Sequence, residues 1–246
     1  MYTILPIIPF AVAWKGQFDP AAHGHLAPRW QVIFEGKAEK CFPPAEVRAK
    51  FPGLVCAKST NHWADLSTSK AFIITCVIPY VKAMRAHLRL PNAIGIFIID
   101  AWKIWMQTEF LTWLYDEWGT FVRARFVPAR LTGKGQPLDV HGQGMIKNDL
   151  IKHTTDHLTA AASRQIAMGV APANVKLDLS LSTLKVPFFE AIAKARNNFF
   201  SRDGVCTVAF RKAGLAQSFD ADFQIAALQQ AGAGVFSTND PGAPKE

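Results

Sequence analysis

The sequence predicts an α/β domain, on three observations. Half of its 246 residues are hydrophobic and 19% are charged, enough apolar content to bury a core and to exclude wholesale disorder. An unbroken apolar run, Ile94-Gly95-Ile96-Phe97-Ile98-Ile99, ends in Asp100 and reads as a strand covered on both faces. Between residues 94 and 162 the pattern runs strand, helix, strand, helix, the order that builds parallel strands.

Taken in order, residues 2–14 are rich in β-branched and aromatic side chains and predict a strand bent at Pro6 and Pro9. Residues 16–28 read as a turn region. Trp30-Gln31-Val32-Ile33-Phe34 predicts a second strand, forming a hairpin with the first across a long loop. Pro43 and Pro44 precede a short helix near residues 46–50, closed by Gly53. Leu54-Val55-Cys56-Ala57 predicts another strand. Residues 67–88 form a long helix that Ser67, Thr68 or Ser69 can cap. Phe72, Val77, Tyr80, Val81, Met84 and Leu88 give it an apolar stripe, and Pro79 predicts a kink. After the 94–99 strand come a helix over 107–117 ending at Gly119, a strand over 121–127, a loop over 128–137 and a helix over 140–162. Residues 187–200 and 221–230 predict further helices, and 236–246 a frayed tail.

Lys plus Arg number 27 against 19 Asp plus Glu, a net charge of +8 with pI near 9.4. That surplus suits a polyanionic partner, nucleic acid or an acidic membrane face, although solubility alone accounts for it equally simply. The four cysteines form no CxxC pair, which excludes a disulfide scaffold and a zinc ribbon and suits reduced thiols in an intracellular protein. The apolar stretch 71–81 is shorter than the roughly 20 residues of a membrane span, so a soluble protein is expected. His153 and His157 share a helix face without the intervening Glu of a zinc motif, and no GxSxG motif supports a serine hydrolase.

Asp100 and Asp139 carry the candidate chemistry. Asp100 ends a buried strand, where ligand sites of open α/β sheets form; it is equally readable as a solvated aspartate or a helix cap. Asp139 sits in Gln136-Pro137-Leu138-Asp139-Val140 at the start of a helix, where an N-cap is the bland alternative. Together, with 38 residues between them, they suit a site in which divalent ions about 4 Å apart activate a nucleophile and stabilise a leaving oxygen. Magnesium fits, since it takes a few carboxylates plus water and phosphate oxygens. Residues 121–152 hold Arg123, Arg125, Arg130, Lys134, Lys147 and Lys152 against Asp139 and Asp149, 6 − 2 = +4; these form either a phosphate-neutralising surface or a solvated charged face. Trp102 and Trp105 stand where they stack on bases or pack in the core.

Three segments resemble DDE transposases of the pogo-like branch of the mariner superfamily: residues 26–43 with Gln31-Val32-Ile33-Phe34-Glu35-Gly36-Lys37; Asn61-His62-Trp63 with Phe97-Ile98-Ile99-Asp100-Ala101-Trp102; and Phe126-Val127-Pro128 through Thr132-Gly133 and Gln136-Pro137-Leu138-Asp139-Val140 to Lys147. The likeness covers about residues 1–155. It implies an RNase H-like mixed sheet flanked by helices over 1–155, lacking its first central strand, then a helical extension over 156–235 and a flexible tail over 236–246. It further implies a DNA partner, nuclear localisation, Mg2+ or Mn2+ as cofactor, and strand cleavage and transfer, with Asp100 as second and Asp139 as third catalytic carboxylate and both as metal ligands. The family's first Asp has no counterpart here, and its role does not pass to Asp19. Trp105, His141 and Gly144 depart from the family pattern. A catalytically inactive DNA-binding descendant is therefore the alternative, and an interaction module or fragment without nucleic acid the second.

Overall fold

The computed structural model describes residues 2–5, 26–36, 39–128, 130–202 and 204–215. Strand β1 (Tyr2–Leu5) pairs antiparallel with β2 (Trp30–Glu35), Tyr2 opposite Phe34 and Leu5 opposite Gln31. This is the hairpin the sequence predicts. The rest of the expected first strand, the helix at 221–230 and the tail at 236–246 lie outside the described residues. Short helix α1 (Ala45–Ala49) starts behind Pro44 and leads into β3 (Leu54–Ser59), which runs parallel to β2 with Trp30 opposite Leu54.

Helix α2 (Leu66–Leu88) begins one residue earlier than its hydroxyl-rich start suggests. Asp65 caps it: its carboxylate accepts the Thr68 N–H at 2.7 Å, and the Thr68 hydroxyl accepts the Asp65 N–H at 2.8 Å. Thr68 is thus the reciprocal member of a capping box rather than the cap. Just before Pro79 the helix widens into a π turn over Ile73–Val77. A proline supplies no N–H and presses its ring on the carbonyl four residues back; the wider turn absorbs that conflict within a continuous helix. By length and mean hydropathy (1.3) α2 resembles a membrane span. Its Phe72, Ile73, Cys76, Val77, Ile78 and Val81 are instead buried in a core cluster.

Strands β4 (Gly95–Asp100) and β5 (Val122–Val127), joined through α3 (Thr108–Trp118), pair parallel, with Gly95 opposite Val122 and Asp100 opposite Val127. After the single helical turn α4 (Thr132–Gly135) and a π turn over Leu138–Gly142 come α5 (Gln143–Ala167), α6 (Leu181–Ser201) and α7 (Val205–Lys212). The class is mixed α/β. Among the described residues the strands form two sheets, β1-β2-β3 and β4-β5, and no strand pairs with the outer edge of β1 or β4.

Two apolar clusters hold these layers. In the first, Trp30, Val32 and Phe34 of β2 meet Phe189, Ile192 and Phe199 of α6. Arg196 of α6 donates to the carbonyls of Ala27 and Pro28 at 2.8–3.1 Å. Its guanidinium lies so close to Gly53 that an added Cβ there would fall 2.5 Å from Nη1. Residue 155 falls inside α5, and Arg202, just beyond α6, grips Asp149 of α5 at 2.9 and 3.0 Å. In the second cluster, Phe97 and Ile99 of β4 and Val122, Ala124 and Phe126 of β5 face α2 and α3.

The expectation that β4 is covered on both faces is corrected. Ile96 is 51% exposed, because on its face of the sheet Ile96 and Ile98 stand opposite Arg123 and Arg125. Strand residues alternate between faces, and basic neighbours keep this one in contact with water.

Replacing Phe189 with Ala is expected to destabilise the protein by about 3–5 kcal/mol, because α6 loses a fully buried ring. Asp65→Ala is expected to cost about 1 kcal/mol through the lost cap. Urea denaturation reads both.

Candidate functional site

Asp100 is the last residue of β4, and its cross-strand neighbour is Val127, the last residue of β5. From there the chain turns through Arg130, whose φ of 69° lies in the left-handed region. The turn of α4 closes with hydrogen bonds from Lys134 and Gly135 to the Leu131 carbonyl. It settles on the strand end: a Cβ on Gly135 would lie 3.5 Å from Val127 Cγ1, an ordinary contact. The π turn that follows carries Asp139, so the loop returns it to the end of the sheet where Asp100 emerges.

Asp139 senses the charge of Asp100. Burial is the main cause that raises the pKa of Asp139 above the usual carboxylate range; the negative charge of Asp100 adds to it, and Lys147 opposes it. Burial likewise raises the pKa of Asp100, against a backbone hydrogen bond that lowers it. The capping alternatives fall away. Helix α3 starts behind Gln107, and neither the π turn nor α5 has a side-chain cap at its start. Gln136, three residues before Asp139, holds a buried side-chain oxygen with no hydrogen-bond partner among the described residues.

Two partly desolvated carboxylates that repel each other are relieved by a shared cation. Hard oxygen donors suit Mg2+ or Mn2+, with water and phosphate oxygens completing the shell. Asp100 and Asp139 are the oxygen donors at this strand end to which such an ion would bind. Among the described residues no group of three or more His, Cys, Asp or Glu is placed to hold a metal.

Of the six basic candidates, Lys147 lies near enough to Asp139 to stabilise its charge. Arg125, Arg130, Lys134, Lys147 and Lys152 are exposed. Arg123 is half-buried; its guanidinium donates to the carbonyls of Gly119 and Val122 and lies 5.8 Å from the Tyr115 ring centroid. Lying early in β5, it braces the turn that ends α3. Asp149, which offsets the cluster in a simple count, is matched by Arg202.

The tryptophans divide. Trp105 is 4% exposed and packs edge-on against Phe110 (5.1 Å), Phe97 (6.0 Å) and Phe72 (6.2 Å), so it belongs to the core and not to a stacking surface. Trp102, two residues past Asp100, is half-buried and meets Trp63 at 6.5 Å. Trp63 enters the sequence reading only as part of a resembling segment. Its signal is a large aromatic in the polar stretch Ser59-Thr60-Asn61-His62, where no core contact is needed. No family model, curated protein or solved structure matches the chain.

Both aspartates have folded-state pKa values above their unfolded ones. Their ionisation therefore costs stability, fully above the raised folded pKa and not at all below the unfolded value near 4. Asp139→Asn is expected to melt at a higher temperature than wild type at pH 7. Thermal melts across pH should show that advantage fading as the solution is acidified toward pH 4 and gone below it.

Proposed function

We propose that this chain is a nucleic-acid-binding domain of DDE-transposase descent with an RNase H-like architecture, acting on DNA in the nucleus. The observation that carries the reading is the placement of Asp100 at the end of a parallel strand pair, with Asp139 carried back toward it on the π turn from a position far along the chain, near enough for the Asp100 charge to raise the Asp139 pKa. A bound Mg2+ or Mn2+ ion supplies Lewis acidity for phosphodiester displacement. The chain's own groups do the rest. Asp100 and Asp139 supply oxygen ligands, Lys147 stabilises the Asp139 carboxylate in its ligating, ionised form, and the exposed Arg125, Arg130, Lys134 and Lys152 position phosphates by charge.

A catalytically silent DNA-binding descendant is the second reading. It is favoured by the absence, among the described residues, of a third metal-ligating side chain beside the two aspartates. Loss of one member of a cooperating set removes nearly all activity.

Incubation with labelled duplex DNA and millimolar Mg2+ separates the two. Cleavage abolished by Asp139→Ala supports the enzyme. Binding that weakens steeply between about 50 and 200 mM salt, without cleavage, supports the silent binder. Binding that ignores salt counts against both. Replacing Lys134 and Lys152 together with Ala is expected to reduce the salt slope by about 2, read from fluorescence anisotropy titrations.

A further inference from the structure

The two rings beside the aspartates form a feature the metal chemistry does not use. Trp63 follows the end of β3, and Trp102 follows the end of β4; their centroids stand 6.5 Å apart with planes inclined at 56°. Trp63 is 56% exposed and, with Trp102 beside it, offers a wide ring surface to solvent. It is also held there. The Trp63 N–H bonds the Asn61 carbonyl at 2.8 Å. Between them His62 adopts φ of 58°, in the left-handed region that histidine enters more readily than most residues. The His62 ring lies 5.2 Å from that of Trp63 and its Nδ1 stands 3.5 Å from a Glu35 carboxylate oxygen. A left-handed backbone, a supporting ring and a carboxylate thus converge on presenting one flat apolar face.

We infer that Trp63, backed by Trp102, is a stacking platform for an unpaired nucleobase of the DNA strand whose phosphate reaches Asp100 and Asp139. The inference rests on the nucleic-acid reading above and names its substrate class: single-stranded or locally opened DNA in preference to an intact duplex. The occupant follows from the surroundings. Trp102 is two residues from a carboxylate suited to a metal-bridged phosphate, the chain carries a net +8, and a base is the planar apolar group that a phosphate chain brings with it. Bases inside a duplex have no face to offer a protein ring, whereas unpaired bases stack on aromatic side chains without regard to sequence.

The test measures binding of a labelled oligothymidine strand and of a duplex of equal length by anisotropy, with wild type, Trp63→Ala and Trp63→Phe. Trp63→Ala is expected to weaken the single strand roughly 5- to 100-fold and the duplex less than about twofold, with the salt slope unchanged because no phosphate contact is lost. Trp63→Phe is expected to recover most of the affinity. Wild-type protein offered an abasic strand of the same length should show the same loss, which keeps the test independent of how the variants fold. Equal affinity of wild type for normal and abasic strands overturns the platform. If wild type still binds DNA with a steep salt slope in that case, the platform alone is wrong. If wild type binds neither form of DNA, the wider reading falls with it.

Discussion

The parallel, in-register pairing of β4 with β5 is the constraint on which the site depends. It sets Asp100 opposite Val127, so that both strands end at the same level and the chain leaving β5 must turn beside the carboxylate that ends β4. The π turn at Leu138–Gly142 then has only a short path to bring Asp139 back. A one-residue slip in that register would send Asp100 to the other face of the strand pair. What opposes the slip is the aromatic packing beneath: Trp105 meets Phe72, Phe97 and Phe110 edge to face, and Phe72 meets Phe97 at a tilt, on the core side of β4, and a shifted strand would turn Ile96 and Ile98 inward in place of Phe97 and Ile99.

Stability and site chemistry pull in opposite directions at that rim. The core clusters are apolar and closely interlocked, while the rim holds two like charges, a buried unpaired amide oxygen at Gln136 and a left-handed residue at His62. Each is unfavourable in the isolated fold. A cation between the carboxylates, as proposed above, would offset the first of these. Local conflict gathered at one end of an otherwise consistent fold is the pattern expected of a functional site.

The outer layer has a simpler logic. Helix α6 covers the β2 face through Phe189, Ile192 and Phe199, and Arg196 ties its middle to the loop before β2. The C-terminal helices therefore complete the core of the first sheet. Nη2 of Arg202 donates to both carboxylate oxygens of Asp149, an ion pair between α5 and the end of α6.

Period and punctuation in the sequence determined β2, β3, β4, β5, α2 and α3 to within a residue or two, because alternation, apolar runs, prolines and Gly119 act locally. They also marked Asp100 and Asp139 as the carboxylates to watch. Tertiary structure decided what locality does not encode. Thr68 is a partner and Asp65 the cap, since a capping box is a reciprocal contact. Trp105 is core and Trp102 half-open, since two aromatics three residues apart look alike until the turn after β4 sets one of them inward. Arg123 braces the turn at Gly119, since a guanidinium's partners come from whichever turn lies within reach. Ile96 is exposed, since an apolar run states that a strand prefers burial but not how many layers exist to bury it. The nearness of Asp100 and Asp139 belongs to the same class: it is a distance closed by a strand register and a loop, and no single stretch of chain contains it.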